Sequence, residues 1–115
     1  MITRIKAGPR MSQAVVHGNT VYLAGQVASD RSADTAGQTR EILAAIDGLL
    51  AEAGTDKRHL LAATIYLADM GTFNEMNAVW DAWVAPGCTP ARATVGAPLA
   101  SSAYRVEIVI TAARP

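Results

Sequence analysis

The chain has 115 residues, of which 50% are hydrophobic and 17% are charged, and its ten basic residues balance ten acidic ones. This length predicts a single domain, residues 1–115, that is large enough for one core. The balanced charge, with no run of Lys or Arg, argues against nucleic acid or a membrane surface as a partner. A domain this small cannot hide so much apolar surface by itself, which favours a homo-oligomer.

The sequence shows no targeting or membrane-spanning signal. The N-terminus lacks an apolar stretch of the signal-peptide kind, and no run approaches the roughly 18 apolar residues that a bilayer-spanning helix needs. A single cysteine, Cys88, excludes an intramolecular disulfide. We therefore expect a cytoplasmic protein.

The first quarter of the chain predicts three short strands. Met1–Ala7 is a strand candidate, and Ser12–His17 with Thr20–Val27 predicts a hairpin around a turn at Gly18 and Asn19. Gly25, inside or at the end of the third strand, indicates a bulge or the close approach of another group to the backbone.

Two helices are predicted in the middle of the chain. Apolar residues at helical spacing predict a helix over Ala36–Ala53, capped by Asp34 or Thr35 and ended by Gly54. A strand follows at Leu61–Ala68. The pair Thr72 and Glu75 has the form of a capping box, and it should begin a second helix that stops at Pro86-Gly87.

The last two strands carry two charges in otherwise apolar surroundings. Pro90–Ala97 places Arg92 and Thr94 on one face, and Tyr104–Ala112 places Glu107 opposite an apolar face. Because the intervening loop is short, we expect these strands to pair as neighbours. The two charges then form a salt bridge, point to solvent, or do chemistry.

The predicted order is β-β-β-α-β-α-β-β, which indicates an α+β fold with a mixed sheet and two helices packed on one face. The uncovered face should then hold the surplus apolar surface. Pro90-Ala91-Arg92-Ala93-Thr94-Val95, followed by Val106-Glu107-Ile108, resembles the C-terminal signature of the RidA family, also called YjgF/YER057c/UK114. Further matches in family order are Ser12-Gln13-Ala14, Ala24-Gly25-Gln26 and Asn77.

This resemblance implies a chorismate-mutase-like fold and a homotrimer whose sheets form a central barrel. Three clefts between neighbouring subunits would bind 2-imino or 2-oxo acids. Members of the family hydrolyse reactive enamine and imine intermediates to 2-oxo acids and ammonia, without a metal or an organic cofactor. The implied activity is that of a 2-iminobutanoate/2-iminopropanoate-type deaminase.

The resemblance also assigns roles to individual residues. Arg92 matches the family arginine and would hold the substrate carboxylate, while Glu107 matches the family glutamate and would place the attacking water. Gly25 and Asn77 match positions that line the cleft. The sequence departs from well-studied members at three cleft positions, where it has Met11, Ala24 and Thr94 instead of tyrosine, serine and cysteine. Thr94 keeps a hydroxyl, but Met11 and Ala24 remove polar groups, so we expect a more apolar cleft.

Two other functions stay open. These departures favour a non-catalytic trimer that binds or senses small carboxylates, and some relatives have been described as ribonucleases or translation inhibitors. The neutral charge counts against the latter. Neither His17 nor His59 has neighbours at metal-ligand spacing, and Cys88 has no paired base, so we expect no metal site and no cysteine nucleophile.

Overall fold

The structure, a computed structural model, describes residues 1–115. Its elements follow the predicted order, with a six-stranded sheet and two α-helices. The strands are β1 (Ile2–Ile5), β2 (Ala14–His17), β3 (Thr20–Leu23), β4 (Leu60–Leu67), β5 (Ala91–Gly96) and β6 (Val106–Ala113), and the helices are α1 (Thr35–Glu52) and α2 (Phe73–Trp83). Neither α-helix combines the length and the apolar character that a bilayer-spanning segment requires.

Both helices cover the same face of the sheet, as the sequence predicted. The core consists of apolar side chains from this covered face, together with the apolar stripe of α1 and part of α2. On β6 the fully buried residues alternate strictly with half-buried ones. The buried set is Val106, Ile108, Ile110 and Ala112. Since alternate residues of a strand point to opposite faces, the remaining side chains of β6 lie on the open face.

The sheet order is β1-β2-β3-β6-β4-β5, so the expected pairing of the last two strands is wrong. β4 lies between β5 and β6, parallel to the first and antiparallel to the second. The physical reason is the crossover through α2, which brings β5 back parallel to β4 and leaves the other edge of β4 for β6. The loop between β5 and β6 passes the end of β4, where Ala97 donates to the Leu67 carbonyl at 3.0 Å.

The helix starts confirm one predicted cap and correct another. The side chain of Asp34 accepts a hydrogen bond of 2.8 Å from the backbone N–H of Gly37, which caps α1 as predicted. The predicted capping box of α2 is wrong, because Thr72 makes no side-chain cap. Its hydroxyl donates to the Asp69 carbonyl within a preceding 3₁₀ turn, and Glu75 instead accepts from the backbone N–H of Ala36 at 3.0 Å. α2 also ends at Trp83, before the predicted Pro86-Gly87 stop.

The third strand is shorter than predicted, and its end contains the expected bulge. β3 stops at Leu23, but Gln26 pairs again with β6 opposite Ile108. From Tyr22 to Gln26 the chain advances four residues, whereas β6 advances only three between Ile108 and Thr111. The extra residue bends the chain at Ala24-Gly25, which is the local distortion that a bulge produces.

Candidate active site

Glu107 lies on the open face of the sheet, in the middle of β6. It pairs with Tyr66 of β4, and its neighbours along the strand, Val106 and Ile108, point into the core. The side chain is half-buried and takes part in no ion pair or hydrogen bond within the chain. A carboxylate so placed is free to interact with a ligand or a water molecule.

The Glu107 carboxylate lies directly against the backbone at Gly25, where the missing side chain leaves room for it. A methyl group added at Gly25 would lie 2.9 Å from the Glu107 Cδ and closer still to Oε2. The prediction that another group approaches the backbone at Gly25 is therefore confirmed, and that group is Glu107. The Gln26 amide supports this arrangement, because its Nε2 donates to the Ala24 carbonyl and to the Gln13 side chain, both at 3.0 Å.

A concavity of about 310 Å³ opens beside Glu107. Its walls are mostly apolar and come from β4, β6 and the loop that follows β5. The lining residues besides Glu107 are Tyr66, Ala97, Pro98, Leu99, Ala100 and Val109. Sequence reasoning missed Tyr66 and the loop residues, because the register that brings them to Glu107 depends on β4 lying between β5 and β6.

Arg92 lies on the opposite face. It pairs with Ala63 of β4, which is buried on the covered side of the sheet. Its guanidinium Cζ lies 5.4 Å from the ring centroid of Trp80 on α2. The guanidinium makes no hydrogen bond or ion pair within the chain, so its planar set of donors is uncommitted. A salt bridge between Arg92 and Glu107 within one chain is excluded, because the two side chains leave the sheet in opposite directions.

Two further predicted residues belong to the Arg92 side of the sheet. Thr94 follows Arg92 on the same face of β5 and pairs with the buried Ile65, and Asn77 precedes Trp80 by one helical turn on α2. Both Thr94 Oγ1 and Asn77 Oδ1 are buried without a hydrogen-bond partner. Unpartnered buried polar atoms are rare in folded proteins, and near an uncommitted arginine they indicate a place for a ligand.

Of the remaining predicted residues, Ala24 belongs to the Glu107 side and Met11 lies in an exposed loop. Ala24 precedes Gly25 in the bulge, and its N–H donates to the Gln13 carbonyl at 2.9 Å. Met11 lies two residues before Gln13, in the loop that precedes β2, with 47% of its surface exposed. The structure therefore divides the predicted residues into two groups. The first comprises Arg92, Thr94 and Asn77, and the second comprises Glu107, Gly25 and Ala24, while Met11 stands apart in the loop before β2.

Comparison with known proteins places the whole chain in one family. The family model described as endoribonuclease L-PSP matches residues 1–114. The chain is 49% identical over 113 residues to a RutC family protein of Haemophilus ducreyi, which covers 98% of this chain and 97% of that protein. It is 47% identical over 112 residues to RutC family protein YoaB of Escherichia coli, with 97% of each chain covered.

The fold has close counterparts among solved structures. A crystal structure of a YjgF family member from Neisseria meningitidis matches with a TM-score of 0.98 and 50% identity, covering 100% of this chain and 96% of that one. A member of the YjgF/YER057c/UK114 family from Mycobacterium tuberculosis matches with a TM-score of 0.89 and 27% identity, covering 98% and 99%. The sequence and the structure agree that this chain belongs to the YjgF/RidA family.

Proposed function

We propose that this protein is a deaminase that hydrolyses small 2-imino acids and their enamine tautomers to 2-oxo acids and ammonia. Arg92 holds the substrate carboxylate and Glu107 activates the attacking water. The observation that carries the proposal is the uncommitted Glu107 carboxylate, which lies against Gly25 and lines an apolar concavity. Family membership supports the same reaction class.

The proposed chemistry needs only groups that this chain supplies. The Arg92 fork binds both carboxylate oxygens of the substrate, which orients C2 of the imine. As the water oxygen bonds to C2, the C=N electron pair moves to nitrogen, and Glu107 accepts a proton from the water. Glu107 passes this proton to the nitrogen, which leaves a hydroxyl and an amine on C2. Glu107 then takes the hydroxyl proton and passes it to the amine, the C–N bond breaks, and ammonia leaves as the carbonyl forms. No redox step is involved, so no electron carrier is required.

We propose further that the protein acts as a homotrimer in the cytoplasm. Arg92 and Glu107 of one chain cannot meet, because they lie on opposite faces of the sheet. A ring of three subunits with head-to-tail contacts can bring the β5 edge of one subunit against the open face of the next. The open face suits such burial, since Tyr22 is 50% exposed and Val95 is 44% exposed on it. Each cleft then takes Arg92 from one subunit and Glu107 from its neighbour.

A binding protein of the same architecture is the second candidate. Met11 and Ala24 offer no side-chain hydrogen bond to a substrate, and the walls around Glu107 are mostly apolar. Such a cleft would keep the carboxylate anchor at Arg92 but turn over little. The endoribonuclease description of the family model suggests a third function, which the net charge of zero disfavours.

The substitution Glu107→Gln distinguishes the first two candidates. It keeps the size of the side chain but removes the base, so we expect turnover to fall by about 10²- to 10⁴-fold. Affinity for an inert 2-oxo acid should hold or improve, because a negative charge no longer opposes the ligand carboxylate. An amino-acid oxidase that generates imines, coupled to ammonia release, measures turnover, and calorimetry measures oxo-acid binding.

The melting temperature of the variant serves as the control for folding. Lost turnover with intact binding and stability supports the deaminase. Turnover that is unchanged in Glu107→Gln, or that is absent in the parent while oxo acids still bind, supports the binding protein instead.

A further inference from the structure

The guanidinium of Arg92 is held by an aromatic ring rather than by an acidic side chain. Its Cζ lies 5.4 Å from the ring centroid of Trp80, a distance at which a cation and the face of an indole attract each other. Trp80 is only 4% exposed, so the ring is fixed in the core. A desolvated contact of this kind is stronger than one on the surface.

The fold brings these two side chains together. The crossover β4-α2-β5 places α2 on the covered face of the sheet beside the edge strand β5. The residue that pairs with Arg92 on β4 is Ala63, whose small side chain leaves room on this face for the guanidinium and the indole. The Arg92 side chain therefore contacts α2 at the β5 edge of the sheet, where no further strand follows.

The cation–π contact and carboxylate binding can use different parts of the guanidinium. The N–H donors lie in the plane of the group and point outward from its edge, so an indole against its face leaves them free. Because Arg92 donates no hydrogen bond within the chain, that edge stays available. Thr94 Oγ1, on the same face of β5 as Arg92, and Asn77 Oδ1, one helical turn before Trp80, are both buried and without a partner.

We infer that Trp80 is a positioning residue for ligand binding: it fixes the plane of Arg92 so that the N–H fork faces the carboxylate of a 2-imino or 2-oxo acid. This inference rests on the proposed function of Arg92. Sequence reasoning assigned Trp80 to the core alone, and its burial confirms that assignment. The contact with Arg92 adds a second role. Helical spacing could not reveal it, because Arg92 lies on a strand, β5, outside the helix.

The same helix provides a matched control. Trp83 also stacks with a cation, Lys57, at 5.3 Å, and its indole N–H donates to Asp47 at 3.0 Å. The Trp83 ring packs against that of Trp80, with the centroids 5.4 Å apart, but its cation and its hydrogen-bond partner are Lys57 and Asp47 rather than Arg92. Trp80 and Trp83 are the only tryptophans in the chain, so replacing either leaves a single fluorescent reporter.

The first experiment uses the two single-tryptophan variants as fluorescent reporters of ligand binding. In Trp83→Phe, the fluorescence of Trp80 should change saturably as 2-oxobutanoate is added, because the ligand engages the guanidinium stacked on this ring. The change should be absent in Trp83→Phe combined with Arg92→Ala. In Trp80→Phe, the remaining Trp83 should report little. Equal saturable changes from the two single reporters would contradict the inference.

The second experiment measures affinity by calorimetry. We expect Trp80→Leu to weaken 2-oxobutanoate binding by roughly three- to thirty-fold, and Trp80→Phe to recover part of the loss because a ring face returns. For imine turnover, KM should rise more than kcat falls, whereas a purely structural role would lower the melting temperature and leave KM unchanged. Trp83→Phe should bind like the parent.

The outcomes separate this inference from the proposed function. If Arg92→Ala abolishes binding while a folded Trp80→Leu binds like the parent, the role of Trp80 is disproved and that of Arg92 stands. If the parent binds no 2-oxo acid, both are disproved. If Trp80→Leu does not fold, the comparison of the two single-tryptophan reporters decides.

Discussion

The two faces of the sheet receive different kinds of residue from the same strand, β6. On the covered face, β6 contributes Val106, Ile108 and Ile110, all fully buried against the helices. On the open face, the residues between them are half-buried and include Glu107, beside a concavity. Along β6 the covered face is closed by packing within one chain, so it determines the fold. The open face keeps a charge and apolar walls unsatisfied, so it is free for binding and assembly, and on the covered face Arg92 is likewise uncommitted at the β5 edge of the sheet.

The largest expected effect is in mixed trimers, which test whether Arg92 on one face and Glu107 on the other serve the same cleft. Arg92→Ala and Glu107→Gln should each be inactive alone, but a trimer that contains both can combine an intact Arg92 with an intact Glu107 from the neighbouring subunit. With random mixing, about one quarter of the clefts should be complete. Refolding the two variants together and assaying imine hydrolysis should recover about that share of parental activity.

Light scattering before and after mixing provides the control, since both variants and the mixture should have the mass of three chains. If mixing recovers no activity although the subunits exchange, the two residues do not serve one cleft. If the parent is a folded monomer, the shared cleft is also disproved.

A pair of identical substitutions on β6 tests the two faces directly. Val106→Ala removes two methyl groups from the closed core and should lower the free energy of unfolding by about 1.5–3 kcal/mol. Val109→Ala, on the open face, should cost less within the chain but weaken subunit association. Denaturation measures the first effect and sedimentation over a range of concentrations measures the second. Equal effects of both variants on unfolding and on association would contradict the distinction between the faces.

Gly25→Ala should have a smaller effect, confined to the open face. The added methyl would meet the Glu107 carboxylate, which must turn away from its place over the backbone. We expect turnover to fall by about ten- to a hundred-fold, because a small displacement of a catalytic group is costly to rate. The free energy of unfolding should change by about 1 kcal/mol or less, since the end of a glutamate side chain can rotate.

Gly48→Ala is the matched control, because a methyl group there meets nothing within 4 Å. Gly48 lies inside α1, so alanine should stabilise the helix slightly and leave turnover unchanged. If Gly25→Ala keeps full turnover, the position of Glu107 over Gly25 is not required for activity.

Local patterns in the sequence predicted what local physics determines. Alternation predicted which residues of β6 are buried, helical spacing and Asp34 predicted α1, and Gly25 predicted a bulge or a close contact. The cause of each element lies within a few residues of it, although the group that approaches Gly25, Glu107, comes from a distant strand. The placement of Arg92 and Glu107 on opposite faces of the sheet also follows from the alternation of β5 and β6, once the position of each strand in the sheet is known.

Features that depend on distant segments were not predictable in this way. The sheet order depends on the crossover through α2, so a short loop between β5 and β6 was a poor guide to pairing. Glu75 has the spacing of a capping box, but the tertiary structure brings the Ala36 N–H to it, 39 residues away. The contact of Trp80 with Arg92 likewise joins a helix and a strand whose relative register no local pattern specifies.

The central position of β6 has a consequence for how the molecule is made. The first three strands form one hydrogen-bonded unit, and β4 with β5 forms another, and the two are joined only through β6. During synthesis from the N-terminus, both units emerge before the strand that joins them. Until β6 is available, the inner edges of β3 and β4 remain unpaired, and unpaired edges are sites where another chain can add. The strand that carries Glu107 is thus also the one whose late synthesis leaves these edges exposed and whose pairing finally protects them.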